Sequence, residues 1–424
     1  MSKKILISTD IGSDCDDALS ILASINSGLN ICGIHTVNGD VKTRAYITRH
    51  LVNLAGKDIP IYVGEKNPIK SPSEPYTNYE DFHVVDQYID EEASTGSSEI
   101  VYLDPSSVGI REDSVSGLEE ALSEGSHDVF SIGPMTNIAR LLLKNYDVRK
   151  NISRLYVMGC RFSNGGKLGH NVRYDVDAAR IVLGSDIPIT VIPGDLCNKW
   201  RMPVSHLDGL KSAAGLYVKK MVESHLGIRT SQALNTVTGR EINISFYEKL
   251  LCNSEFIKAL GEKRINLIDS IRMIIYGVES PWFFSNRLRE RSGSEAEKEF
   301  GKAKNLIELF NGNHFTPEDA AFDPDKFFRE YFSVIKRLRE REPIGFRFGE
   351  LSAEMLQGLV PVDLSVSDLY VPFCYLHPES IKAEKGNVVV DDLGATRRIV
   401  GDRLDIVTEV DINSFKKFID KNLK

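Results

Sequence analysis

The chain has 424 residues, of which 42% are hydrophobic and 26% charged, the proportions of an ordinary globular protein. A formal net charge of -8 disfavours a dedicated nucleic-acid surface, and no apolar run nears the roughly 18–20 residues of a membrane helix. The six cysteines have neither zinc spacing nor a CxxC pair, so reduced thiols and a cytoplasmic location are expected.

In chain order, ILIST (5–9), ICGIHTV (31–37), PIYVG (60–64), DVFSIG (128–133), RLYVMG (154–159) and PITVIPG (188–194) read as buried strands. Between several of them lie amphipathic stretches such as DALSILASINSG, TRAYITRHLVNLAG and PMTNIARLLLKNY, apolar at helical spacing. Strand alternating with helix predicts an α/β fold, a Rossmann-like open and mostly parallel sheet flanked by helices. The polar 65–112 stretch reads as a loop or lid. From about 228 to 360, strand-like runs give way to helical patterns with charged faces. The expected organisation is therefore a core of 1–227 and 361–424 with a helical insertion or cap, 228–360, near the active site. Near 362–410 a short helix should precede two strands, NVVVDD and DRLDIVTEV.

The first strand runs into TDIGSDCDDA, where Asp10, Asp14, Asp16 and Asp17 crowd one turn. A single helix cap needs one carboxylate, and four repel one another unless something positive sits among them. A hard cation with several oxygen ligands, Ca²⁺ or Mg²⁺, answers that need. An EF-hand register starting at Asp10 fails at Gly12 and Cys15, and no GxxxxGK[ST] phosphate loop is present. An aspartate-nucleophile phosphatase would want a second Asp where Gly12 stands.

These residues resemble the signature of the calcium-dependent nucleoside hydrolases, Asp-Thr-Asp-Pro-Gly-x-Asp-Asp-Ala, in a form with two extra residues before the paired aspartates. Further stretches resemble the family in order: IHTVNGD (34–40), IGPMTNIA (132–139), LYVMGC (155–160), GHNVRYDVDAA (169–179) and SDLYVPFCYLHP (367–378). The resemblance implies hydrolysis of the N-glycosidic bond of a ribonucleoside, modified or not, to ribose and free base. It implies Ca²⁺ held by Asp10, Asp17, Asp368 and the carbonyl of Ile132, with Asp10 also the base toward the attacking water. Asp16 and Asn171 would hold the ribose, and Asn164 is a looser candidate. Asp40, standing where the family often has Asn, is expected at the site; His83 and His170 are candidate substrate contacts. Asp14 has no counterpart in the shorter motif and reads as a solvated or capping residue.

The chain departs from the family at Ser8, Gly169 and Ser367, where a carboxylate, a Glu and a His are usual. The Ser367 departure leaves the acid that protonates the leaving base unassigned. The expected partner is a small-molecule nucleoside, not nucleic acid or a membrane, and the resemblance implies a homodimer or homotetramer. Two other readings stay open: a non-catalytic nucleoside- or ribose-binding protein, and a ribosyl transferase or lyase.

Overall fold

A computed structural model describes residues 3–12, 14–70, 109–162, 168–222 and 363–423, with a few isolated positions between 225 and 333. The chain divides into two compact units, Met1–His225 joined with Asp363–Lys424, and Leu226–Val362. In the second unit, Lys304 and Glu308 pair at 3.4 Å one helical turn apart. The expected lid (65–112) lies largely outside the described residues, and so does most of the expected helical insertion.

In the first unit the strands are β1 (Lys4–Thr9), β2 (Asn30–Thr36), β3 (Ile61–Tyr62), β4 (Ile110–Arg111), β5 (His127–Ser131), β6 (Ile152–Met158) and β7 (Ile189–Ile192). A small pair, β8 (Met202–Pro203) and β9 (Asp363–Leu364), is followed by β10 (Ile381–Val390) and β11 (Thr396–Val410). Helices bounded within the described residues include α1 (Asp16–Asn26), α2 (Val41–Leu54), α3 (Ser114–Ser123), α4 (Thr136–Lys144), α5 (His170–Tyr174), α6 (Val176–Leu183), α7 (Gly194–Cys197), α8 (Tyr370–Leu376) and α9 (Ile412–Asn422).

Nine strands form one sheet in the order β10-β11-β7-β6-β5-β1-β2-β3-β4. All neighbours pair in parallel except β10 with β11. This is the α/β architecture that the alternating pattern predicts. β1 is central, and Ile5, Leu6 and Ile7 are buried, as a strand covered on both faces requires. The helix after β1 leads outward to β2, whereas the helix after β5 leads the opposite way to β6. α1 packs with α8 and α9, while α4 packs with α3 and α6. The connections therefore diverge between β1 and β5, and a crevice opens beyond their carboxyl ends.

The C-terminal strands run longer than the apolar runs alone suggest. Charged residues along IKAEKGNVVV and TRRIVGDRLDIVTEV still pair as one long hairpin, because both strands are largely exposed. Beyond them, Asp411 caps α9, which buries Phe415, Phe418 and Ile419.

His35, on β2, is fully buried, stacked 4.5 Å from Tyr62 and bonded through Nδ1 to Ser114 Oγ at 3.0 Å. Burial pushes its pKa down from the ordinary 6.5 to about 3. Its neutral form thus contributes stability that is complete above pH 6.5 and is lost as pH falls toward 3. His35→Phe keeps the stack but cannot take a proton. Denaturant titrations from pH 7 to 4 should show the wild type losing up to about 1.4 kcal/mol per pH unit more than the variant. Parallel curves would assign the acid sensitivity elsewhere.

Candidate active site

The site begins where β1 ends. Asp10 lies at the carboxyl end of that strand, and the backbone turns through Gly12 at φ 105° before entering α1 at Asp16. A side chain is strained in that left-handed region, so glycine suits the turn. Asp16 and Asp17 occupy the first turn of α1, where unpaired N–H groups and the helix dipole favour negative charge. Thr9 Oγ1 donates to Asp17 Oδ1 and accepts from the N–H of Ile11 at 3.2 Å, tying strand to helix.

Asp368 comes from the far end of the chain, 352 residues from Asp16 in sequence, on the short turn Ser367–Leu369. Ser20 Oγ donates to the Asp368 carbonyl at 2.9 Å, and the Asp368 N–H reaches Asp16 Oδ2 at 3.4 Å. One oxygen from each of Asp14, Asp16, Asp17 and Asp368 lies within 4.8 Å of the others. Burial raises the pKa of Asp16, Asp17 and Asp368 well above the usual carboxylate range, and mutual repulsion raises them further. Four hard oxygen donors within 4.8 Å of one another could hold a metal ion, and their chemistry suits a hard cation, the class to which Ca²⁺ belongs.

Asp10 faces a second polar group. Its Oδ2 lies 3.4 Å from Asn38 Nδ2 and 3.4 Å from His170 Nε2, and those two nitrogens are themselves 3.4 Å apart. Asn38, buried beyond the end of β2, adopts φ 73°, a region Asn tolerates better than most residues. Beneath them the buried Arg44 of α2 donates to the carbonyls of Asp10, Ile11 (2.8 Å) and Asn38 (2.7 Å). Its charge also lowers the pKa of Asp17, in part offsetting the rise. Gly133, just after β5, admits no substituent, because a Cβ there would stand 2.7 Å from Asp10 Oδ1. Asn171 on α5 donates to the carbonyls of Ile132 (2.7 Å) and Met158 (3.1 Å), so the ends of β5 and β6 join the same floor.

The structure therefore brings together Asp10, Asp16, Asp17, Asp368, Ile132, Asn171 and His170 from among the expected residues. The Ile132 carbonyl, expected toward the metal, accepts from Asn171. Asp40 sits apart in role: it is exposed and caps α2, accepting from Thr43 N at 3.2 Å and Thr43 Oγ1 at 2.7 Å. His83 and Asn164 lie outside the described residues. Asp14, read from sequence as solvated or capping, instead joins the carboxylate group. Asn38 and Arg44 were not singled out by the sequence; the positive-φ NG pair after β2 was the available signal for Asn38, and Arg44 gave none.

A model of the family described as inosine-uridine preferring nucleoside hydrolase matches residues 5–269. The chain belongs to this family. An uncharacterized protein of Schizosaccharomyces pombe is 30% identical over 207 residues, covering 46% of this chain and 62% of that one. Uridine nucleosidase 1 of Arabidopsis thaliana is 25% identical over 228 residues, covering 51% of this chain and 64% of that enzyme. The chain thus spans less than two thirds of the length of these curated relatives. A solved plant nucleoside hydrolase shares the fold at TM-score 0.54 with 14% identity, covering 100% of this chain and 99% of its own. A purine-preferring ribonucleoside hydrolase from Gardnerella vaginalis does so at TM-score 0.54 and 14% identity, covering 99% of this chain and 98% of that one.

Calorimetric titration of the EDTA-stripped nucleoside hydrolase-family protein with Ca²⁺ separates these carboxylates. Asp368→Asn should weaken binding about tenfold or more, at least about 1.4 kcal/mol, because it removes one charge from the buried group. Asp40→Asn should bind Ca²⁺ as the wild type does, since that carboxylate is committed to its cap. Wild-type affinity in Asp368→Asn would take the C-terminal segment out of the site.

Proposed function

We propose that this chain is a Ca²⁺-dependent nucleoside N-ribohydrolase, cleaving a ribonucleoside, modified or not, into ribose and free base. The observation that carries this reading is the placement of Asp10 beside four clustered carboxylates, at the switch point of a nucleoside hydrolase-family sheet. A purely binding protein would have less use for so costly a group of buried charges next to a candidate base.

Asp10, Asp17, Asp368 and the Ile132 carbonyl would hold the cation, and Asp14 stands close enough to join them. Bound Ca²⁺ would supply Lewis acidity and a fixed point for orienting water and sugar hydroxyls. The remaining work belongs to side chains. Asp10 takes a proton from the attacking water, and Asn38 and His170 orient its Oδ2. Asp16 accepts hydrogen bonds from the ribose diol. Asn171 has its amide hydrogens on two carbonyls, which leaves Oδ1 to accept from a sugar hydroxyl. Departure of the base leaves an oxocarbenium-like sugar, and the surrounding carboxylates stabilise its positive charge. A homodimer or homotetramer and a cytoplasmic location complete the reading, as does a capping role for the 228–360 insertion.

Release of free ribose and free base from a broad nucleoside panel, modified bases included, tests it. Release should require Ca²⁺, stop in EDTA and return when Ca²⁺ is restored. Asp10→Ala should lower kcat by about 10²–10⁴-fold, the usual worth of a positioned proton acceptor. No release from any nucleoside while Ca²⁺ still binds would overturn the proposal.

A further inference from the structure

The hairpin of β10 and β11 does more than close one edge of the sheet. Its turn is built by the sequence DDLGA: Asp391 Oδ1 accepts from the N–H groups of Leu393 (2.9 Å) and Ala395 (2.8 Å), and the Asp391 N–H donates back to Ala395 O at 3.0 Å. A turn fixed by its own side chain is a firm object to lean against. What leans on it is the backbone on both sides of 163–167. On the near side, Thr396 Oγ1 accepts from the Arg161 N–H at 2.8 Å and donates to the Arg161 carbonyl at 2.6 Å. One hydroxyl thus uses its donor and a lone pair on a single residue, fixing that residue's backbone at both ends.

On the far side, Gly394 (φ 84°) lies against Arg173, two residues past Asn171. A Cβ at 394 would stand 2.8 Å from Arg173 Cα, so contact this close is open only to glycine. Farther along, Arg180 of α6 donates to the Val390 carbonyl at 3.0 Å and to Asp392 Oδ1 at 2.6 Å. The braced segment carries His170, which touches Asp10, and Asn171, which spans the ends of β5 and β6. Asp368, by contrast, is held by Ser20 and Asp16.

We propose that the turn Asp391–Thr396 is a brace that sets the sugar-contacting segment around His170 and Asn171, with Thr396 and Gly394 as positioning residues for substrate and not for metal. The functional half of this proposal rests on the hydrolase reading above. Its structural half does not.

The test compares Thr396→Val, which keeps the shape and loses both hydrogen bonds, with Thr396→Ser, which keeps the hydroxyl, and with Gly394→Ala. Amide hydrogen exchange is read first, because it needs no turnover. In Thr396→Val the Arg161 amide and those of 168–173 should exchange at least about tenfold faster, while Thr396→Ser stays near wild type. With the nucleoside found active in the panel, Thr396→Val should raise KM about five- to tenfold, lower kcat by a smaller factor through His170 and Asp10, and leave Ca²⁺ affinity within about twofold of wild type. Thr396→Ser should restore KM. If Gly394→Ala fails to fold, the two Thr396 variants still decide the matter.

Unchanged exchange in Thr396→Val would overturn the brace itself. Faster exchange with wild-type KM, or a KM that rises equally in Thr396→Ser, would overturn its positioning role. A wild type that releases no base would sink the hydrolase reading alone; ribose binding by calorimetry, weakened in Thr396→Val and not in Thr396→Ser, would then uphold the positioning role, and equal binding in all three would overturn it.

Discussion

Four carboxylates held within 4.8 Å of one another and largely removed from water are an unstable arrangement on their own. Either protons or a cation must neutralise them, and the raised pKa values of Asp16, Asp17 and Asp368 express that demand. The fold meets part of it. The dipole of α1 faces Asp16 and Asp17, and Arg44 places a buried positive charge beneath the same turn. What remains is negative charge that protons or a cation can neutralise, gathered where the connections of the described sheet diverge.

Seen this way, the neighbouring residues have distinct tasks. Arg44 spans the carbonyls of Asp10, Ile11 and Asn38, a reach that a planar guanidinium fork provides and an ammonium does not. It thereby joins the loops after β1 and β2 beneath the acidic turn. Asn171 does the corresponding work across β5 and β6. Gly133 clears the space that Asp10 occupies. Removing the side chain at one position while crowding it at the next is how a central strand end becomes a pocket floor.

Much of this was legible in the residues. The Val- and Ile-rich runs placed the buried strands, because parallel strands covered on both faces must be apolar along their length. The acidic turn announced a cation by its charge density, and the family resemblance linked it to Asp368 across the chain. Other features left no trace of their role. Arg44 sits among TRAYITRH, where a basic residue on an amphipathic helix looks like any solvated one, yet it is 1% exposed. Asp40 was expected at the site from its place in the family pattern, and only the Thr43 contacts show that it caps α2. The hairpin brace was equally hidden, since a threonine hydroxyl gripping a distant backbone has no sequence periodicity.

The union of Asp16 with a residue 352 positions later also shapes how the molecule comes into being. β1, α1 and β2 lie close in sequence and can begin to pair locally, whereas their carboxylate partner Asp368 must arrive from 352 residues beyond Asp16. Until it arrives, the acidic turn lacks one of the four carboxylates that could hold a cation. Closing a loop of that length carries an entropic cost that local pairing does not. Completion of the carboxylate group thus follows long-range closure: a chain that has paired β1 with β2 but not yet docked Asp368 still lacks one of its four acidic side chains, however well that first part has folded.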